Sequence, residues 1–128
     1  MDAMNPNVLK LAVDTAKASP GKFRVGAVLL YRGRVVATAT NAATKTHPLQ
    51  ARLADRVGRP EKKVLHAEVA ALVRCRSQVD TIVVARVDKA DRLRLSKPCP
   101  VCALAIQEAG IMTIYYSTED GFVQQYQP

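Results

Sequence analysis

The sequence contains no tryptophan, and only two phenylalanines and four tyrosines among 128 residues. Little aromatic surface is available for stacking unpaired bases, which weighs against a groove built for single-stranded nucleic acid. Acidic residues are also scarce, 11 against 19 Lys and Arg, and the net charge of +8 favours anionic partners such as phosphates. No run approaches the roughly 18 consecutive apolar residues of a membrane span, and no basic flank followed by an apolar run marks a leader near the N-terminus. These absences predict a soluble, cytoplasmic protein with no membrane partner. Three cysteines, two of them within "PCPVC", do not resemble an extracellular disulfide framework and fit metal or redox chemistry in a reducing compartment. Internal repeats and low-complexity tracts are lacking as well. A hydrophobic content of 48% is ample for one core, so residues 1–128 are read as one domain.

The positive charge is concentrated in two runs. Lys45, Arg52, Arg56, Arg59, Lys62 and Lys63 occupy the first, and Arg86, Lys89, Arg92, Arg94 and Lys97 the second. Each reads equally as a solvated face or as a phosphate-binding surface.

Asn5 as N-cap and Pro6 at the first helical position begin a helix with Val8, Leu11, Ala12 and Ala16 on one face, stopped by Pro20-Gly21. "FRVGAVLLYRGRVVATATN" is two β-rich runs around an Arg32-Gly33 turn, and the first run, apolar on both faces, belongs in a sheet covered on both sides. The basic stretch from Ala42 to Lys63 holds Pro48, Gly58 and Pro60 and reads as a long functional loop with one short helix at "LQARLADRV". Helix "VLHAEVAALVRCR", strand "DTIVVARVD", helix "CPVCALAIQEAG" and strand "MTIYYST" follow. The turn "TEDG" then leads to a short "FVQQY" strand antiparallel to the one before it. This order predicts an α/β protein with helices on both faces of a mixed five-stranded sheet.

Cys99 and Cys102 are three residues apart, so at a helix start both sulfurs lie on one side and can grip one ion. Alone, this pair reads as a redox motif, a zinc half-site or two buried cysteines. His66 alone would read as a structural residue at a helix start. Together, H-x-E at His66 and Glu68 and P-C-x-x-C at Pro98 to Cys102 form the zinc deaminase signature. One imidazole and two thiolates fill three of zinc's four tetrahedral positions and leave the fourth for a water whose pKa the metal lowers toward about 7. Cys75 lies nine residues beyond His66, about 13 Å along a helix at 1.5 Å per residue, and reads as an ordinary buried cysteine. His47, in the basic loop, is a conceivable fourth ligand. Glu68, a carboxylate that is not a ligand, is placed to move protons.

The motifs "FRVGAVLL", "ATATN", "HAE" and "PCPVC", in that order, resemble the cytidine deaminase-like superfamily of cytidine, deoxycytidylate, tRNA adenosine and polynucleotide cytosine deaminases. The resemblance implies a three-layer α/β/α fold and hydrolytic loss of an exocyclic amine. Zn2+ would be held by His66, Cys99 and Cys102, with Glu68 protonating the ring nitrogen and the leaving ammonia. It also implies that the Ala67 N–H binds a pyrimidine carbonyl, that Asn41 contacts base or sugar, and that Phe23 lines the pocket. From the residues alone, Asn41 reads as well as a strand-ending turn residue and Phe23 as core. The sugar-binding stretch of cytidine deaminases is replaced here by the basic loop, and small members of the superfamily often form homo-oligomers. The leading expectation is a deaminase of a free cytosine nucleotide or nucleoside. The alternatives are an enzyme acting on single-stranded DNA or tRNA, and a non-catalytic zinc-stabilised binding module.

Overall fold

A computed structural model describes residues 4–20, 22–42 and 45–126. Helix α1 (Pro6–Lys17) starts as its sequence dictates, with the Asn5 side chain accepting the Asn7 N–H at 2.9 Å and Pro6 in the first turn. It ends at Lys17, short of Pro20; Gly21, half of the expected stop, lies outside the described residues. Strands β1 (Arg24–Tyr31) and β2 (Arg34–Thr40) form a hairpin around Arg32 and Gly33. Both turn residues have positive φ, 51° and 80°, the geometry of a tight turn whose twist matches the strands.

The remaining elements are α2 (Pro48–Arg56), α3 (Ala67–Arg74), β3 (Thr81–Val87), β4 (Leu93–Arg94), α4 (Pro100–Glu108), β5 (Thr113–Thr118) and β6 (Gly121–Tyr126). The main strand order is β2-β1-β3-β5-β6. Only β3 and β5 run parallel, and β6 returns antiparallel to β5 as expected. The sheet has six strands rather than five, because the two-residue β4 pairs with β3. That strand is too short to carry a pattern. It is held by Asp88, whose carboxylate accepts the N–H groups of Ala90 and Arg92 and the Arg94 guanidinium.

Alternation along the central strands divides the core. Val28, Leu30, Val83, Ala85 and Val87 face α1, whereas Ala27, Leu29, Ile82 and Val84 face the side covered by α3 and α4. The result is three layers. Helix α2 lies outside this sandwich, where Leu53 and Ala54 pack on Val69 of α3 and on Val101, Cys102 and Ala105 of α4. No helix among the described residues is long and apolar enough to cross a membrane.

Gly26 lets α1 approach the sheet. A Cβ there would lie 2.5 Å from the Ala16 nitrogen and 2.8 Å from the Ala12 carbonyl oxygen, both backbone atoms with no room to yield. Gly26→Ala is therefore expected to destabilise by about 1–3 kcal/mol, the usual cost of overpacking, and to lower the thermal midpoint. An unchanged melting curve would contradict this packing.

Candidate active site

Helices α3 and α4 begin with His66 and Cys99 as N-caps, and neither side chain caps its own helix. Each turns instead toward the other. His66 Nδ1 lies 3.2 Å from Cys102 Sγ and 3.5 Å from Cys99 Sγ, and the three donor atoms all lie within 4.8 Å of one another. A tetrahedral zinc with bonds of about 2.0–2.1 Å to nitrogen and 2.3 Å to sulfur separates such ligands by about 3.5 Å. The three donors therefore fit one zinc ion in spacing as well as in chemistry.

Two neighbouring backbone positions at these helix starts are accounted for separately. Pro100 at the first position of α4 has no N–H to leave unsatisfied. At α3 the His66 N–H is taken by the side-chain oxygen of Gln50, 3.2 Å away on α2. Both helix dipoles point their positive ends at the cluster, where they favour thiolate. The Cys99 thiol is held down at about 3, chiefly by a hydrogen bond from Cys102 and also by His66. Cys102 moves upward, because it keeps the shared proton and is buried. His66 is raised mainly by its hydrogen bond with Cys99.

Glu68, in the first turn of α3, is buried, with 5% of its surface exposed. Burial pushes its carboxyl above the usual carboxylate range. A carboxyl of raised pKa beside a metal ligand can both accept and return a proton. It opens on a cavity of about 630 Å³, a size suited to a small-molecule ligand.

Ala67, Asn41 and Phe23 also line this cavity. Phe23 is 58% exposed, with the Arg86 guanidinium carbon 5.2 Å from its ring centroid, so it belongs to the rim and not the core. The Asn41 carboxamide ties the wall together. Its oxygen accepts the Val25 N–H and the Ser19 hydroxyl, and its nitrogen donates to the Phe23 carbonyl. His47 stands apart from the cluster: its Nδ1 accepts the Leu49 N–H and caps α2. Cys75 ends α3, at the far end from His66, and its thiol donates to the Ser77 carbonyl.

Residues 4–118 match the family model described as the cytidine and deoxycytidylate deaminase zinc-binding region. The chain belongs to this deaminase family. It is accordingly a zinc-dependent hydrolase of the deaminase type, with His66, Cys99 and Cys102 forming a possible metal site. The deaminase is 28% identical over 120 residues to a tRNA-specific adenosine deaminase of Agrobacterium fabrum, covering 92% of this chain and 68% of that protein. Among solved structures it resembles the dCMP deaminase of cyanophage S-TIM5 bound to dCMP and dUMP. There the TM-score is 0.56 and the identity 26%, over 89% of this chain and 83% of the other. Cytidine deaminase from Mycobacterium leprae shares the fold, with a TM-score of 0.57 and 21% identity over 96% and 94% of the two chains.

Lys22, Lys62, Arg86 and Lys97 also line the cavity of the deaminase. Lys62 of the first basic run and Arg86 and Lys97 of the second thus share one opening. Sequence reasoning found three of these cations as members of runs but missed Lys22 and Gln50. An isolated lysine and a helical glutamine carry no local signal.

Replacing Cys99 or Cys102 by Ala should abolish stoichiometric zinc, read by elemental analysis of the purified protein. Either variant retaining about one zinc per chain would contradict the ligand set.

Proposed function

We propose that this deaminase hydrolyses a free cytosine nucleotide or nucleoside to the uracil product and ammonia, with the whole chain acting as one domain. The observation that supports this reading is the convergence of Lys22, Lys62, Arg86 and Lys97 on the cavity that holds Glu68 and the ligand cluster. A base seated against Glu68 would leave its 5′-phosphate near these cations, where the charges of opposite sign attract. Substrates bearing a phosphate are therefore favoured.

Zinc, held by His66, Cys99 and Cys102, supplies a Lewis acid and a water of lowered pKa. The Glu68 carboxylate takes a proton from the attacking water and delivers it to the cytosine ring nitrogen as the hydroxyl bonds to the amine-bearing ring carbon; it then takes the hydroxyl proton and gives it to the amine, which leaves as ammonia when the carbon–nitrogen bond breaks. Water and cytosine thereby become uracil and ammonia. The Ala67 N–H, at the first position of α3 where no intrahelical acceptor exists, holds the pyrimidine carbonyl. Phe23 covers the base from the rim. Asn41 fixes the Phe23–Val25 wall and offers its remaining amide hydrogen to base or sugar.

Polynucleotide deamination is the second reading. It draws on the similarity to the tRNA-specific adenosine deaminase and on the same four cations, which would also attract a polynucleotide backbone.

One panel separates the readings: ammonia release from cytosine, cytidine, deoxycytidine, CMP, dCMP, a short single-stranded DNA and tRNA. Turnover of the monophosphates, at least about tenfold better in kcat/KM than of the matching nucleosides, is expected from a differential of about 1.4 kcal/mol. Release from DNA or tRNA alone would move the assignment to the second reading, and no release from any cytosine compound by zinc-loaded protein would overturn the first. Glu68→Gln should keep zinc and lose about 10²–10⁴ in kcat, the span of general acid–base catalysis. Retention of more than about a tenth of the activity would remove Glu68 from that role.

A further inference from the structure

Gln50 is a wholly buried polar side chain in a helix otherwise joined to the protein by apolar packing and surface ion pairing. Its amide nitrogen donates to the Lys62 carbonyl at 2.9 Å, and its oxygen accepts the His66 N–H at 3.2 Å. Both ends of the amide are therefore spent, one on a residue that lines the cavity and the other on a metal ligand. The geometry points to Gln50 as a positioning residue that locks the basic segment to the start of the metal-binding helix.

The His66 side chain does not cap α3, and the His66 N–H itself, at the N-cap position, has no acceptor within the helix. In a capping box, a Glu or Gln three residues into the helix reaches back to the N-cap N–H; here the residue at that place is Val69, which has no acceptor. Gln50 supplies the acceptor from a neighbouring helix. The base of the segment is closed separately, by the Thr46–Val64 bridge and by the Leu65 N–H to Lys45 carbonyl bond at 2.8 Å. Those bonds fix where the segment leaves and rejoins the fold. They do not reach Lys62, which sits between the bridge and the end of α2: its N–H is held by the Arg59 carbonyl at 2.9 Å within the segment, and its carbonyl is the group that Gln50 ties to the start of α3. An amide side chain with opposite polarity at its two ends meets both needs at once, and a carboxylate would satisfy only the His66 N–H.

The consequence for catalysis is a division of effects. His66, Cys99 and Cys102 keep their donor atoms when Gln50 is changed, so zinc should stay. What changes is the orientation of the imidazole and the position of Lys62. The assignment of Lys62 to a substrate phosphate rests on the function proposed above, whereas the effect on His66 does not.

The experiment uses the full chain as wild type, Gln50→Met, which keeps length and apolar bulk, and Gln50→Glu, which keeps the acceptor. It has three readouts: zinc content, the visible d–d spectrum of Co2+-substituted protein, and dissociation constants for dUMP and deoxyuridine. For Gln50→Met we expect about one metal per chain, a shifted cobalt spectrum, and dUMP binding weakened about tenfold with deoxyuridine changed by less than about threefold. Gln50→Glu should restore the cobalt spectrum while dUMP binding stays weak. Wild-type spectrum and wild-type affinities in Gln50→Met would overturn the inference, as would equal losses for both ligands. If Gln50→Met does not fold, Gln50→Glu and amide exchange in the wild type decide. A His66 N–H exchanging at an unprotected rate would refute the hydrogen bond, since no intrahelical acceptor otherwise protects it. Should the wild type bind neither ligand, the assignment of Lys62 to a substrate phosphate fails, while the cobalt spectrum and amide exchange still judge Gln50.

Discussion

Two helices begin beside one another, and each surrenders the side chain that would normally cap it. His66 and Cys99 occupy N-cap positions, where Ser, Thr, Asp or Asn would ordinarily accept a backbone N–H. Aiming them at a common point brings three soft donors within 4.8 Å, but it leaves the helix starts to be satisfied by other means. The N–H groups of the second and third helical positions lose that partner; separately, Pro100 removes the N–H at the first position of α4, and Gln50 reaches across from α2 to take the His66 N–H. The architecture around the cluster follows from this exchange of local capping for metal chemistry.

The supporting fold supplies rigidity in layers. Alternating apolar residues of β1 and β3 bind α1 on one face and helices α3 and α4 on the other. Leu53 and Ala54 then clamp both α3 and α4 from outside, packing against Cys102 itself. A ligand constellation needs to be held to within about half an ångström, and two helices fixed on a closely packed sheet achieve this better than loops. The same dipoles that favour thiolate at the helix starts also bring positive potential to the cavity, where four basic side chains add to it. Burial of Glu68 works in the opposite direction, favouring the protonated acid. The site thus joins an electropositive opening to a carboxyl ready to exchange a proton.

Much of this was legible without coordinates. His66, Glu68, Cys99 and Cys102 announce themselves because their chemistry is costly in an apolar helix start, and the three-residue spacing of Cys99 and Cys102 places both sulfurs on one side. The covered sheet was readable because the β1 run is apolar on both faces, and the hairpin because two β-rich runs flank Arg32-Gly33. Strand β4 escaped notice since two residues cannot establish a period, and its position depends on Asp88 hydrogen bonds. The role of α2 was also hidden. Its helix could be read, but a glutamine within it gives no sign that its partners lie 12 and 16 residues away. Phe23 was open to a core reading because apolar character does not reveal whether a residue ends at a rim.

The centre of the account is a zinc ion with three protein ligands and one position left to chemistry. X-ray absorption at the zinc edge of the loaded wild-type protein tests this most directly. The expected result is two sulfur scatterers near about 2.3 Å, one imidazole nitrogen near about 2.0 Å, and one further light atom outside any imidazole. A third sulfur or a second imidazole in the first coordination sphere would make the site closed and contradict the account.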